Sequence, residues 1–151
     1  MPSNLYGPGD NFNPLNSHVP AALIDRFHTA KINDSKKVEV WGSGKPLREF
    51  LYVEDLASAC IYLAEHYSSE EPINVGTGKE TSIKDFAELI KKIVGFRGRI
   101  IFDNTKPDGV YRKVLNTKKV NKLGWKPVTS LESGLTKYYK WYLDNIKSIR
   151  R

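Results

Sequence analysis

Pro2-Ser3-Asn4-Leu5-Tyr6-Gly7-Pro8 is an abrupt polar turn at a point where a strand should end. It opens a stretch, residues 2–16, with three prolines, two glycines and four asparagines, which is a loop composition. Beyond it the pattern becomes periodic. Ser17 is placed to cap a helix running to about Ala30, with Pro20 tolerated in the first turn. Lys37 to Trp41 alternates as a short strand and stops at Gly42-Ser43-Gly44. Arg48 to Val53 is a second extended piece. A helix from about Glu54 to His66 follows, with Leu56, Ala59, Cys60 and Leu63 on its inward side.

Pro72 to Val75 reads as a buried strand ending in Gly76-Thr77-Gly78. Ser82 with Asp85 three residues later is a capping-box-like start. Ile83, Phe86, Ala87, Ile90, Ile93 and Val94 then recur at helical spacing up to Gly95, a C-terminal cap. Arg99 to Asp103 is another strand. Thr129 and Glu132 begin the last helix, with Leu131, Leu135, Tyr138 and Tyr142 as one apolar stripe. Strands alternating with helices give an α/β class, although four short strands make a poor complete sheet.

The chain has 151 residues, enough for one core. No window approaches the roughly 20 apolar residues of a membrane span, and no signal-peptide pattern opens the chain. One cysteine, Cys60, forms no internal disulfide, so a reducing, cytoplasmic setting is expected. Residues 1–70 hold six Lys/Arg against nine Asp/Glu, net −3; residues 71–151 hold eighteen against eight, net +10. The lysines fall at helix-face spacing without a recognition motif, so the basic half reads as a solvated surface rather than a nucleic-acid site.

Three clusters carry chemistry. His18 and Arg26 lie eight residues apart on one helix, so His18, Ala22 and Arg26 share a side. At the first turn, where the helix dipole disfavours added positive charge, an imidazole can lend or take a proton. The same residue also fits a plain capping or packing histidine. Trp41-Gly42-Ser43-Gly44 with Arg48 joins a stacking face, a close backbone approach and a planar guanidinium fork suited to phosphate; a packing tryptophan before a hairpin turn is the alternative. Lys106-Pro107-Asp108-Gly109-Val110-Tyr111-Arg112-Lys113 sets one carboxylate among three cations on a Pro-Asp-Gly turn. A diphosphate with a ribose hydroxyl fits there, as does an unliganded surface turn. His28 and His66 fall on outward helical positions and take no role. No His/Cys set has metal spacing, and no phosphate-loop or serine-elbow motif occurs.

Taken together, the segments resemble the GDP-L-fucose synthases, NADP-dependent epimerase-reductases of the extended short-chain dehydrogenase/reductase superfamily. The resemblance rests on Asn4-Leu5-Tyr6-Gly7-Pro8, Asp10-Asn11-Phe12, Asn16-Ser17-His18-Val19, Val40-Trp41-Gly42-Ser43-Gly44 and Arg48-Glu49-Phe50-Leu51. It continues through Asp55-Leu56-Ala57, Ile73-Asn74-Val75-Gly76-Thr77-Gly78, Lys106-Pro107-Asp108-Gly109, Leu123-Gly124-Trp125 and Trp141-Tyr142-Leu143. Two departures stand out: Ser3 where Thr is usual, and Val110-Tyr111 where Thr-Pro is usual.

The resemblance implies the last strands of a Rossmann sheet plus a small α/β substrate-binding domain, with residues 1–151 as the C-terminal, substrate-binding part. The N-terminal dinucleotide-binding half, with its Gly-rich loop and Tyr-x-x-x-Lys, is not in this sequence, so the chain alone is expected to be inactive. His18 matches the catalytic histidine, a proton donor in epimerisation. Asn4 and Leu5, with His18, match the backbone that lines the nicotinamide end of NADP. Arg26, Trp41, Arg48 and Asp108 match residues that hold the GDP-sugar, and Lys113 a lysine near the diphosphate. Cys60 matches no catalytic residue and is expected in the core. The implied partners are a GDP-sugar and a complementing N-terminal half, in a family that is usually homodimeric, with neither nucleic acid nor membrane. A stand-alone nucleotide-sugar-binding module is the alternative, and a basic nucleic-acid binder a weaker one.

Overall fold

The computed structural model describes residues 1–151 and has an α/β architecture. Short parallel ladders set the frame. Strand β1 (Asn4–Tyr6) pairs in parallel with β4 (Phe50–Tyr52), Asn4 opposite Phe50. Strand β2 (Lys37–Trp41) pairs in parallel with β6 (Arg99–Asp103), Lys37 opposite Arg99. In a third sheet, β3 (Leu47–Arg48) lies between antiparallel β5 (Thr81–Ser82) and parallel β7 (Arg112–Lys113). The helices are α1 (Val19–Ile32), α2 (Val53–His66), α3 (Ile83–Val94), α4 (Lys118–Lys122) and α5 (Leu131–Asn145).

Local rules account for most of these elements. In β2 the alternation of Lys37, Glu39 and Trp41 outward with Val38 and Val40 inward matches a half-buried strand. At the start of α3 the Ser82 hydroxyl accepts from the Asp85 amide at 3.0 Å and donates to its carboxylate at 2.6 Å. Gly95 closes that helix with amide bonds to the Lys91 and Lys92 carbonyls. Ile83, Phe86, Ala87, Ile90 and Val94 are buried along one stripe, as the spacing requires.

The main core lies where α1, α3 and α5 meet β2 and the β1–β4 pair. Phe50 stacks on Phe86 at 3.9 Å between ring centroids, and Phe12 packs against Tyr138 and Tyr142 of α5. A smaller cluster of Leu51, Ala59, Ile73, Val75, Val120 and Trp125 fills the other side of β4. Buried Asp55 joins α2 to the start of α5, accepting from the Thr129 amide at 3.0 Å and hydroxyl at 3.1 Å.

Several expectations are corrected. Residues 2–16 are not all loop: Asn4–Tyr6 is a strand, because β4 offers it a parallel edge. The cap of α1 is His18, not Ser17, and that of α5 is Ser130, whose hydroxyl accepts from the Ser133 amide. Pro72–Val75 is no full strand. Val75 makes one parallel bridge, to Pro2, which has no amide hydrogen to extend a ladder. Cys60 is exposed rather than core, since α2 buries only Asp55 and Ala59 and Cys60 lies about 100° round from Ala59. The chain holds seven strands of two to five residues instead of four.

His28 also departs from its outward assignment. It is half-buried, with Nδ1 3.0 Å from the Tyr139 hydroxyl and its ring edge-on to Tyr142 at 5.2 Å. Burial lowers its pKa, opposed by nearby Asp25 and assisted by Lys31. A histidine held below its ordinary value contributes stability that is complete above the unfolded pKa of about 6.5 and is lost as pH falls toward the folded value. The melting temperature should therefore fall between pH 7.5 and 5.5. The slope should flatten in His28→Gln; an unchanged slope would show that this ring does not carry it.

Candidate functional site

Two depressions flank the first turn of α1. The first, about 420 Å³, runs along β1 and the Gly7-Pro8-Gly9 turn and is lined by Ser3, Asn4, Leu5, Tyr6, Asp10 and His18. His18 is exposed at the helix N-cap, and its imidazole makes no capping bond. Asn4 is fixed by its Nδ2, which donates to the Glu49 carbonyl at 2.8 Å. The Ser3 hydroxyl is buried without a hydrogen-bond partner.

The second, about 260 Å³, is lined by Ala22, Arg26, Trp41, Arg48, Pro107 and Asp108, with Ser17 and Val19 at its border with the first. Arg26 reaches it from α1, Trp41 from the end of β2 and Arg48 from β3. The Arg26 guanidinium carbon lies 5.2 Å and Lys106 Nζ 5.7 Å from the Trp41 ring centroid. An indole flanked by two cations, 58% exposed, presents both an apolar face and positive charge. Arg48 Nη1 donates to the Leu47 carbonyl at 2.9 Å. Guanidinium and ammonium groups beside an open aromatic face suit a planar base carrying phosphate oxygens.

Asp108 is engaged on both oxygens. Oδ1 accepts from the Ser43 amide at 2.6 Å and Oδ2 from the Ser43 hydroxyl at 2.7 Å. Those bonds, with Lys45 and Arg48 nearby, hold the carboxyl below the usual range. Gly42, at φ +83°, lies so close that a Cβ there would meet Asp108 Oδ1.

His18, Asn4 and Leu5 thus share one depression, and Arg26, Trp41, Arg48 and Asp108 share its neighbour, rather than all facing a single cleft. Lys113 lines neither; it lies exposed on β7, paired in register with Arg48. His66 is exposed and stacks on Tyr62 at 4.1 Å. Two residues escaped sequence reasoning. Ser43 was legible only as part of a Gly-Ser-Gly turn. Glu49, a charge directly ahead of the apolar run Phe50-Leu51-Tyr52, was the more readable signal.

Glu49 is 0% exposed. Its Oε1 accepts from the Gly78 amide at 2.8 Å and its Oε2 from the Leu115 amide at 2.7 Å. Gly76 packs against the carboxylate where any Cβ would collide with Oε1. Glu49 therefore joins three chain segments directly behind Arg48 and Asn4.

Residues 1–76, just over half of the chain, match the family model "NAD dependent epimerase/dehydratase family". The chain belongs to the NAD-dependent epimerase/dehydratase family. Over 151 residues it is 54% identical to a probable GDP-L-fucose synthase 1 of Oryza sativa subsp. japonica, covering all of this chain and 46% of the relative. Over 154 aligned residues it is 48% identical to the GDP-L-fucose synthase of Escherichia coli K12, covering 96% of this chain and 48% of the relative. The crystal structure of a GDP-L-fucose synthetase from Naegleria fowleri bound to NADP superposes with a TM-score of 0.94 at 36% identity, covering 99% of this chain and 47% of that one. This family member spans about half the length of the curated relatives it matches. No helix is long and apolar enough to cross a membrane.

Removing the Glu49 carboxylate leaves the Gly78 and Leu115 amides without their acceptor at a fully buried position. Glu49→Ala should cost about 2–4 kcal/mol in urea unfolding, and Glu49→Gln roughly half as much. A loss under about 0.5 kcal/mol for Ala would show that the carboxylate does not hold these segments together.

Proposed function

We propose that these residues are the C-terminal, substrate-binding part of a cytoplasmic GDP-L-fucose synthase. That enzyme converts GDP-4-keto-6-deoxy-D-mannose to GDP-L-fucose by epimerisation at C3 and C5 and NADPH-dependent reduction at C4. The observation that carries the reading is the joint placement of Arg26, Trp41, Arg48 and Asp108 around one depression, with His18 across the α1 turn. Trp41 and the flanking cations take the nucleotide and diphosphate. The sugar then extends across the helix start toward His18, whose uncommitted imidazole holds or releases the proton exchanged at a ring carbon. Lys113 of β7, in register with Arg48, is the cation that resemblance assigns near the diphosphate.

The NADP fit is partial. The open wall of Asn4 and Leu5, with the unpartnered Ser3 hydroxyl behind it, suits the nicotinamide end. When bound, NADPH supplies the hydride to C4. The Gly-rich pyrophosphate loop is not among these residues, and a dinucleotide-binding half would complete the site, in a family that is usually homodimeric.

The basic half does not favour nucleic acid. Lys91, Lys92, Arg112 and Lys119 each face a carboxylate, at 3.8, 2.8, 2.7 and 2.7 Å.

Calorimetry with GDP tests the reading. The chain should bind GDP, and Trp41→Ala or Arg48→Ala should weaken binding about tenfold or more. His18→Ala should change affinity less than about twofold, because His18 lines the other depression, yet abolish turnover once a matching N-terminal half is added. Absence of GDP binding, or of keto-sugar-dependent NADPH oxidation in the reconstituted pair, would refute it.

A further inference from the structure

We infer that Ser43 is a positioning residue: it sequesters the Asp108 carboxylate so that the Arg48 guanidinium stays available to the ligand, and in doing so latches the Asn104–Tyr111 loop over the Trp41 turn. The inference rests on the nucleotide-sugar reading above. The 104–111 segment connects β6 to β7 without regular structure of its own. Three contacts pin it to the Trp41-Gly42-Ser43 turn: the paired Ser43–Asp108 bonds, the packing of Gly42 against the carboxylate, and Lys106 over the indole. Pro107 and Asp108 line the Arg26–Trp41–Arg48 cleft on one side and a third depression of about 580 Å³ on the other. The loop is therefore a partition, and the Ser43 bonds are the hydrogen-bonded part of what holds it.

The electrostatic consequence follows from what is close and yet unpaired. Arg48 influences Asp108 through charge, and its Nη2 lies 3.8 Å from where a Gly109 Cβ would stand. Even so, Arg48 bonds the Leu47 carbonyl and forms no ion pair with Asp108. A carboxylate released from Ser43 would compete with ligand phosphate for that guanidinium fork. Ser43 supplies an N–H and an O–H to the two oxygens, and the fork remains open.

A double-mutant cycle on the 151-residue chain, with GDP as the probe, tests this. Ser43→Ala should weaken GDP binding about fivefold in the wild-type background and less than about 1.5-fold when Asp108 is already Ala. Additive losses would mean that Asp108 meets the ligand independently of Ser43, and no loss in Ser43→Ala would mean that the Ser43 hydroxyl positions nothing; either overturns the inference. Amide exchange in the ligand-free chain separates the latch from the nucleotide reading. Asp108→Ala should speed exchange at the Ser43 amide at least about tenfold. If the wild-type chain fails to bind GDP while this acceleration is seen, the nucleotide reading falls and the latch stands; unchanged exchange removes the latch itself.

Discussion

The buried carboxylate of Glu49 is the constraint on which both depressions depend. A charge-bearing group at 0% exposure is tolerated only when its oxygens are occupied, and here the amides of Gly78 and Leu115 occupy them. The residue's own carbonyl accepts from Asn4, a wall of the first depression, while the preceding residue is Arg48, a wall of the second. One residue thus links the strand edge beside His18 to the guanidinium in the neighbouring cleft through its backbone, while its side chain ties both to the Gly78 and Leu115 segments. The absence of a Cβ at Gly76 is what allows that carboxylate to sit there at all.

The two-depression arrangement changes how the clustered residues should be understood. A single helix, α1, displays His18 at its N-cap and Arg26 about two turns later, so roughly 12 Å of helix separates the two side chains. A nucleotide sugar has that kind of length, with a charged, aromatic end and a neutral sugar end. Proton-handling chemistry at one end and charge and stacking at the other match this division. Ser43 and Asp108 add a layer that acts between protein groups and decides which of them remain free.

Much of the site was legible residue by residue. The positions of Arg26, Trp41, Arg48 and Asp108 follow from helix spacing, from the end of an alternating strand and from a Pro-Asp-Gly turn, and these are local rules. His28 was not legible, because its burial comes from Tyr139 and Tyr142, more than a hundred residues away on α5. Cys60 failed for a related reason: helical periodicity names candidate faces, but the width of the packed face depends on what lies against it.

The sequence by itself determined the α/β class, the helix starts at Ser82 and near Ser130, the alternating strand at Lys37–Trp41 and the chemical character of each cluster, since capping, alternation and turn preference act over a few residues. Tertiary structure alone decided that Asn4–Tyr6 pairs with Phe50–Tyr52, that Pro72–Val75 shrinks to one bridge, that His18 and Trp41 face separate depressions and that Asp108 belongs to Ser43. Those outcomes turn on which distant backbone edge, amide or ring comes to lie alongside, and no local pattern encodes that partner.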